Sequence, residues 1–357
     1  MNTRGIYLDA NATEPLRPEA RAAAIRAMEV GGNPSSVHRA GRAARAVLED
    51  ARRRVAAWFG GTPGQVVFTS GGTEADALAM AALGAGRRVV ISAVEHDAVR
   101  VACPEATVLP VDRDGVAVLD ALPGLLADGP ALVCLMLANN ETGVIQPVAE
   151  AASICRTHGA LLHVDAVQGA GRMTVDFGAL GADSLAVSGH KMGGVPGAGA
   201  LLLRPGLEVA AAVRGGGQER GRRGGTPGLP AIAAMAAACV DGPDLLPLRE
   251  QVEAIVVRHG GIVLGGGARL GNTVCAALPG RAAEGQVIAL DLLGVQVSAG
   301  AACSSGKVGR SHVLHAMGLG MLAGEAIRVS LPWNATEADV AAFGLAYGRI
   351  ASRAVAA

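Results

Sequence analysis

The chain is 357 residues long and half hydrophobic, enough for two structural units or one large α/β unit around a sizeable core. Its 31 basic and 31 acidic residues cancel to a net charge of zero, which excludes bulk electrostatic attraction to nucleic acid or an anionic membrane as the basis of function. The opening MNTRGIYLDANATEP has no apolar signal core and no later run nears the roughly 20 apolar residues of a membrane span, so a soluble cytoplasmic protein is expected.

Taken in chain order, VHRAGRAARAVLEDARRRVAAWF (37–59) predicts a helix with Val37, Ala44, Val47, Leu48, Ala51 and Val55 on one side. Six short apolar runs then read as buried strands: QVVFTS (65–70), RRVVISA (87–93), ALVCLMLA (131–138), ALLHVDA (160–166), DSLAVSG (183–189) and GALLLRP (199–205). Helix-like segments, TEADALAMAALGAG and PVAEAASICRTHG, lie between some of them. That alternation predicts a mainly parallel sheet with helices on both faces. RGGGQERGRRGGTPG is too polar for a strand and too rich in glycine for a helix, so it reads as a loop, with a change of domain soon after the helix-like stretch that follows. No repeat of about 20–50 residues is present.

In an open parallel sheet, ligands bind at the carboxyl ends of the strands. The first strand run leads into SGGTEAD, a glycine turn opening a helix, where amides and dipole suit a phosphate as well as they suit a simple helix cap. Later ends carry Glu95 and His96, then Asn139, Asn140 and Glu141, then Asp165 and Gln168, then Ser188, His190 and Lys191. Each alone has a structural explanation: a strand-end Asp is as often a cap, and a lone His is more often structural. Lys191 is more pointed, because the chain has only two lysines among many arginines, and an amine can condense with a carbonyl where a guanidinium cannot. Together the ends offer a phosphate cradle (Gly72, Thr73, Ser188, His190), a carboxylate for a pyridinium (Asp165), a stacking ring (His96) and an amine for an aldehyde (Lys191). Pyridoxal 5'-phosphate requires all four.

The collinear series YLDANAT, GNPSSVHRAG, VVFTSGGTEAD, EHDAV, NNETGVIQP, HVDAVQ, SGHKMGG, GGGQERGRRGGT, SAGAACSSG and IRVSL resembles the cysteine desulfurases of the NifS/IscS type, within class V of the pyridoxal-phosphate-dependent aminotransferases, from about residue 5 to residue 345. The resemblance implies an α/β fold of type I: a large part, 13–246, with a mainly parallel seven-stranded sheet flanked by helices, and a smaller α+β part, 1–12 with 247–357, carrying a catalytic cysteine loop. It implies that Lys191 carries the cofactor, His96 stacks on its ring and shuttles protons, Asp165 pairs with the ring nitrogen and Gln168 with the ring oxygen. Gly72, Thr73, Ser188 and His190 would hold the phosphate, with Thr226 arriving from the second subunit of a homodimer. Arg328 would clamp the substrate carboxylate, helped by Asn11, and Asn140 would lie beside cofactor and substrate.

The six cysteines, at 103, 134, 155, 239, 275 and 303, show no CxxC spacing, which argues against a disulfide framework or a zinc site and for reduced thiols. Five sit in apolar or mixed contexts and read as small buried hydrophobes. Cys303 lies in SAGAACSSGKVGRSH, a small-residue loop whose Lys307, Arg310 and His312 would favour a thiolate if they fold near it; by local sequence it reads equally as a nucleophile or an incidental surface cysteine. The resemblance implies that it takes sulfur from L-cysteine as a persulfide, releasing L-alanine, and hands it to an iron-sulfur scaffold or another sulfur acceptor. Glu14 departs from the resemblance, standing where a second threonine is common, as do Gly193, Val195 and Pro196 beyond Lys191, Gln218 where some members have histidine, and Lys307 and Arg310. A selenocysteine lyase or kynureninase-like enzyme of the same fold is the nearest rival; Cys303 and the SGHK spacing favour sulfur transfer. A non-catalytic regulator is disfavoured because both Lys191 and Cys303 are present.

Overall fold

The computed structural model describes residues 5–300 and 309–352. Strand β1 (Ile6–Tyr7) leads into two helices, Pro18–Val30 and Arg39–Trp58. His38 caps the second, its Nδ1 accepting from Gly41 N at 3.3 Å. The cap starts this helix two residues later than the sequence pattern predicts. Val37 is therefore 82% exposed rather than packed, whereas Ala44, Leu48, Ala51 and Val55 are buried as expected.

Strands β2 (Val66–Thr69), β3 (Arg88–Ser92), β4 (Thr107–Leu109), β5 (Ala131–Cys134), β6 (Leu161–Asp165), β7 (Ser184–Ser188) and β8 (Gly199–Leu203) form a seven-stranded sheet in the order β2-β8-β7-β6-β5-β3-β4. β8 runs antiparallel to both its neighbours; the other pairs are parallel. Alternate residues serve opposite faces. Leu185 and Val187 join the core beneath the helices Arg39–Trp58, Val148–Thr157 and Leu229–Ala237, while Ala186 joins the core beneath the helix Gly72–Leu83. A sheet covered on both faces needs strands that are apolar throughout, which is why the runs read from the sequence carry no alternation.

The rest of the chain builds a second core. Helix Leu246–Arg258, β9 (Ile262–Leu264), β10 (Thr273–Ala277), helix Ala283–Leu292, β11 (Val295–Gln296), β12 (Ser298–Ala299), β13 (Ala326–Ser330) and helix Glu337–Ser352 follow in order, with short helical turns between β12 and β13. β12-β13-β10-β9 form an antiparallel sheet, and β1 pairs with β11 in parallel. Leu8 packs in this core with Val252, Val274, Val329, Phe343 and Tyr347, so the N-terminal segment runs back into the last-made part of the chain.

Candidate functional site

The carboxyl ends of β2, β3, β5, β6 and β7 meet the start of β8 along one edge of the sheet, and a cavity of about 320 Å³ lies there. Beyond β2, Gly72 and Thr73 line it at the start of the helix Gly72–Leu83. A Cβ on Gly72 would stand 2.6 Å from Val167 Cγ2, so only glycine lets this turn close on the segment after β6. The first amides of the helix lack intrahelical acceptors and carry its positive dipole end, a cradle for an anion. Glu74 in the first turn accepts from Ser70 N at 2.7 Å and from Arg223 Nε at 2.7 Å, which ties the glycine-arginine loop to the cradle.

After β3, His96 caps the short helix Asp97–Arg100, its Nδ1 accepting from Ala98 N at 3.1 Å, and this bond fixes the ring in the cavity wall. Glu95 beside it is fully buried, accepting at Oε1 from Ser92 Oγ at 2.6 Å and Met136 N at 2.7 Å; burial pushes its pKa up to about 8. After β5, Asn139 Oδ1 accepts from Glu141 N and Thr142 N, both at 2.9 Å, and the resulting turn presents Asn140 to the cavity. At the end of β6, buried Asp165 accepts from Val167 N at 2.9 Å. Burial raises its pKa, opposed by the charges of His96 and Lys191. Gln168 donates from Nε2 to Asn11 O at 3.1 Å and accepts from Arg172 Nη1 at 2.6 Å.

β7 ends in Ser188 and the helical turn Gly189–Lys191. His190 Nδ1 lies 3.1 Å from Thr13 Oγ1, and burial together with Lys191 and Arg172 lowers its pKa to about 4, so the ring is neutral at physiological pH. Lys191 Nζ donates to Asn11 O at 2.5 Å and Ala12 O at 2.9 Å. Asn11 is itself pinned, donating from Nδ2 to Asn140 O at 3.1 Å and Thr273 Oγ1 at 3.0 Å. Arg328 comes across from β13, 2% exposed, with Nη2 on Asp9 Oδ1 at 2.7 Å and Nη1 on Asn140 O at 3.0 Å. A cation held by one acid and one carbonyl in the wall of such a cavity is oriented to receive a carboxylate.

Asn11, Gly72, Thr73, His96, Asn140, Asp165, Gln168, Ser188, His190, Lys191 and Arg328 thus all line one cavity. Thr226 is exposed and does not line it within this chain. Cys303 and Lys307 lie outside the described residues. Asp76 also lines the cavity and was not singled out from the sequence. The available signal is a charge on the apolar face of a helix, between Ala75 and Ala79. Of the five described cysteines, none lines the cavity. Burial drives the thiol pKa of Cys134 and Cys275 far up and those of Cys155 and Cys239 up to about 12. Among the described residues no group of three or more His, Cys, Asp or Glu could hold a metal ion, and no helix is long and apolar enough to cross a membrane.

Two departures from the expected pattern have local explanations. Glu14 is buried and accepts from Arg172 Nη2 at 3.2 Å and from Trp333 N at 2.7 Å, so its charge is matched where a threonine would leave Arg172 without an acid. Gly193 has φ +92°, and a Cβ there would stand 2.7 Å from Arg17 Cγ, so the turn after Lys191 folds tightly onto Arg17.

The family profile described as Aminotransferase class-V matches residues 6–239. An IscS-like cysteine desulfurase of Mycobacterium tuberculosis is 38% identical over 94% of this chain and 93% of its own length. A cysteine desulfurase of Cereibacter sphaeroides is 41% identical over 94% of this chain and 92% of its own. The crystal structure of a NifS-like protein from Rickettsia africae superposes with a TM-score of 0.91 at 34% identity, covering 97% of this chain and 99% of that one.

Proposed function

Because the chain belongs to the cysteine desulfurases of the class-V aminotransferase family, a pyridoxal-phosphate-dependent group, we propose that it takes the sulfur of L-cysteine onto Cys303 as a persulfide and releases L-alanine. The observation that carries this reading is the convergence of Lys191, Asp165, His96 and Arg328 in one cavity. These residues fit the cofactor. Gly72 lets the turn at the anion cradle close against Val167, Asp165 offers a buried carboxylate to a ring nitrogen, and Lys191 supplies the one lysine amine in the wall among the described residues. When bound, pyridoxal phosphate supplies a carbonyl for amines and a sink for electrons from the substrate α-carbon.

The protein's own groups do the rest. The helix amides at Gly72 and Thr73, with Ser188 and neutral His190, would hold the phosphate, and Thr226 of a second copy would complete that grip. His96 would lie against the ring, and Gln168, steadied by Arg172, would reach the ring oxygen. Arg328 and Asn140 orient the amino acid by its carboxylate, and Lys191 Nζ takes and returns the α-proton. The Cys303 thiolate attacks the substrate sulfur: an S–S bond forms, the substrate C–S bond breaks, and its electron pair stays on the amino-acid carbon, which takes up a proton to become alanine. Overall, cysteine and one thiol become alanine and one persulfide. The reading divides the chain into a cofactor-holding part, 13–246, and a part formed by 1–12 and 247–357 that carries Cys303. It makes the enzyme a cytoplasmic homodimer whose persulfide goes to an iron-sulfur scaffold or another acceptor thiol.

The test is alanine formed from L-cysteine by protein loaded with pyridoxal phosphate, with a reducing thiol, beside Cys303→Ser. Alanine from the wild type and almost none from the variant supports the assignment. Equal alanine from both removes Cys303 from the reaction.

A further inference from the structure

The helix Gly72–Leu83 crosses the face of β6 from which His163 and Asp165, two residues apart, both project. Asp76, in the second turn of that helix, is 1% exposed and lies with its Oδ1 3.1 Å from His163 Nε2. His163 is wholly buried, and its Nδ1 lies 2.8 Å from Oγ of Ser184, its cross-strand neighbour on β7. Of the described residues lining the cavity, Asp76 and Asp165 are the two that carry carboxyls. We propose that Asp76 is a positioning residue of this cavity: it holds the one proton available to the two carboxyls, gives it as a hydrogen bond to His163, and so keeps Asp165 as the anion that faces the ring.

Two carboxylates buried in one wall repel each other, and burial penalises each charge separately, so the pair retains a proton. Which carboxyl keeps it is decided by the partners. Asp165 faces His96 and Lys191, both of which favour its ionised form. Asp76 faces Asp165 and Glu95, both of which disfavour ionisation, and its hydrogen-bond partner among the described residues is a neutral imidazole. Burial lowers the pKa of His163 to about 4, so His163 does not supply the cation that an ionised Asp76 would need. With the proton on Asp76 the hydrogen bonds close without a buried charge. Asp76 donates to His163 Nε2, and His163 donates from Nδ1 to Ser184 Oγ. Were the proton on Asp165 instead, the ring nitrogen would lose its counter-ion and the cofactor its strongest electron-withdrawing form.

The inference rests on reading this cavity as the cofactor site, and the experiment separates the two. Infrared difference spectra of wild type against Asp76→Asn are recorded near neutral pH on protein with pyridoxal phosphate and again after its removal. The expected result is loss, in both forms, of one carbonyl stretch of a protonated carboxylic acid. No such loss overturns the proposal. His163→Leu serves as a second variant: the same stretch should move in frequency once its acceptor is gone, and an unmoved band also overturns it. With cofactor bound, the pH midpoint of the visible band should stay within about 0.3 unit in Asp76→Asn, because no negative charge is removed; a fall of about one unit, worth roughly 1.4 kcal/mol, would reveal an ionised Asp76 and refute the assignment. A carboxyl band lost from protein that takes up no pyridoxal phosphate would leave the protonation standing and sink the cofactor reading instead.

Discussion

Glu219→Ala tests what holds the glycine-arginine loop in shape. Glu219 and Arg220 have φ of 48° and 59°, left-handed values that cost a non-glycine residue roughly 1–2 kcal/mol each. The loop tolerates them because the Glu219 carboxylate is anchored three times: Arg52 Nη1 donates at 2.7 Å, Arg52 Nη2 at 2.8 Å and Phe68 N at 2.8 Å. Both side chains of the pair are nearly sealed, at 3% and 2% exposure. Removing the acid leaves a buried guanidinium whose remaining acid partner among the described residues is half-exposed Glu49, a loss of about 3–5 kcal/mol. At roughly 2 °C per kcal/mol for a chain of this size, the melting midpoint should fall by about 6–10 °C. Arg53→Ala, which breaks a solvent-exposed pair with Asp50, should move it by no more than about 1 °C. The assay is a thermal melt followed by circular dichroism at one scan rate, all proteins loaded with pyridoxal phosphate. If Glu219→Ala melts within about 2 °C of wild type, the anchor does not govern the loop and the reasoning fails.

Four further outcomes are expected. Gly72→Ala should weaken pyridoxal phosphate retention about tenfold or more, since its Cβ would meet Val167 Cγ2 at 2.6 Å, and Val167→Ala in the same chain should recover part of it, as read by equilibrium dialysis. Arg328→Lys should raise KM for L-cysteine by roughly 10–100-fold, the worth of a lost charge-assisted fork, measured by alanine release over a range of cysteine concentrations. Glu95 is fully buried with its pKa raised to about 8, so the native state binds a proton that the unfolded chain releases above the ordinary carboxylate range. Stability should accordingly fall as pH rises from about 5 to about 8, and Glu95→Gln should flatten part of that slope in denaturant melts recorded across the window. Glu14→Thr strips the acid from Arg172, which is 5% exposed in its side chain, and should lower the melting midpoint by several degrees, about 1–3 kcal/mol.

Continuous apolar runs made six of the seven central strands legible, and their polar ends led directly to the cavity wall. β4 escaped because it is three residues long with two of them exposed, too short and too wet to stand out from a loop. The reversal of β8 was legible in principle. Ten residues separate Ser188 from Gly199, fewer than a parallel crossover needs, but a strand's composition carries no sign of its direction. Val37 misled because its spacing fits the helical face while the imidazole of His38 stops the helix short of it. Asp76 was hidden by its setting, since a helix that reads as a strand-to-strand connector draws attention to its apolar positions. Pairings such as Arg328 with Asp9, or Asn11 with Asn272, are 319 and 261 residues apart and leave no local trace. Only the complete fold brings them together.

The return of the N-terminal segment into the second core sets a timetable for assembly. Asn11 N bonds Ser330 Oγ across 319 residues, and Ile6 lies opposite Val295. At synthesis rates of about 5–20 residues per second, the first strand waits about 15 s to a minute for its partners to be made. The seven-stranded sheet needs nothing beyond Leu203 for its strands and can take shape during that interval. The stretch from Asp9 to Ala12 cannot settle, and without it Lys191 lacks the two carbonyls that hold its amine. Completion of the cavity is therefore a late event in the life of each new chain, and a nascent protein truncated before β13 should carry a formed sheet beside an unfinished site.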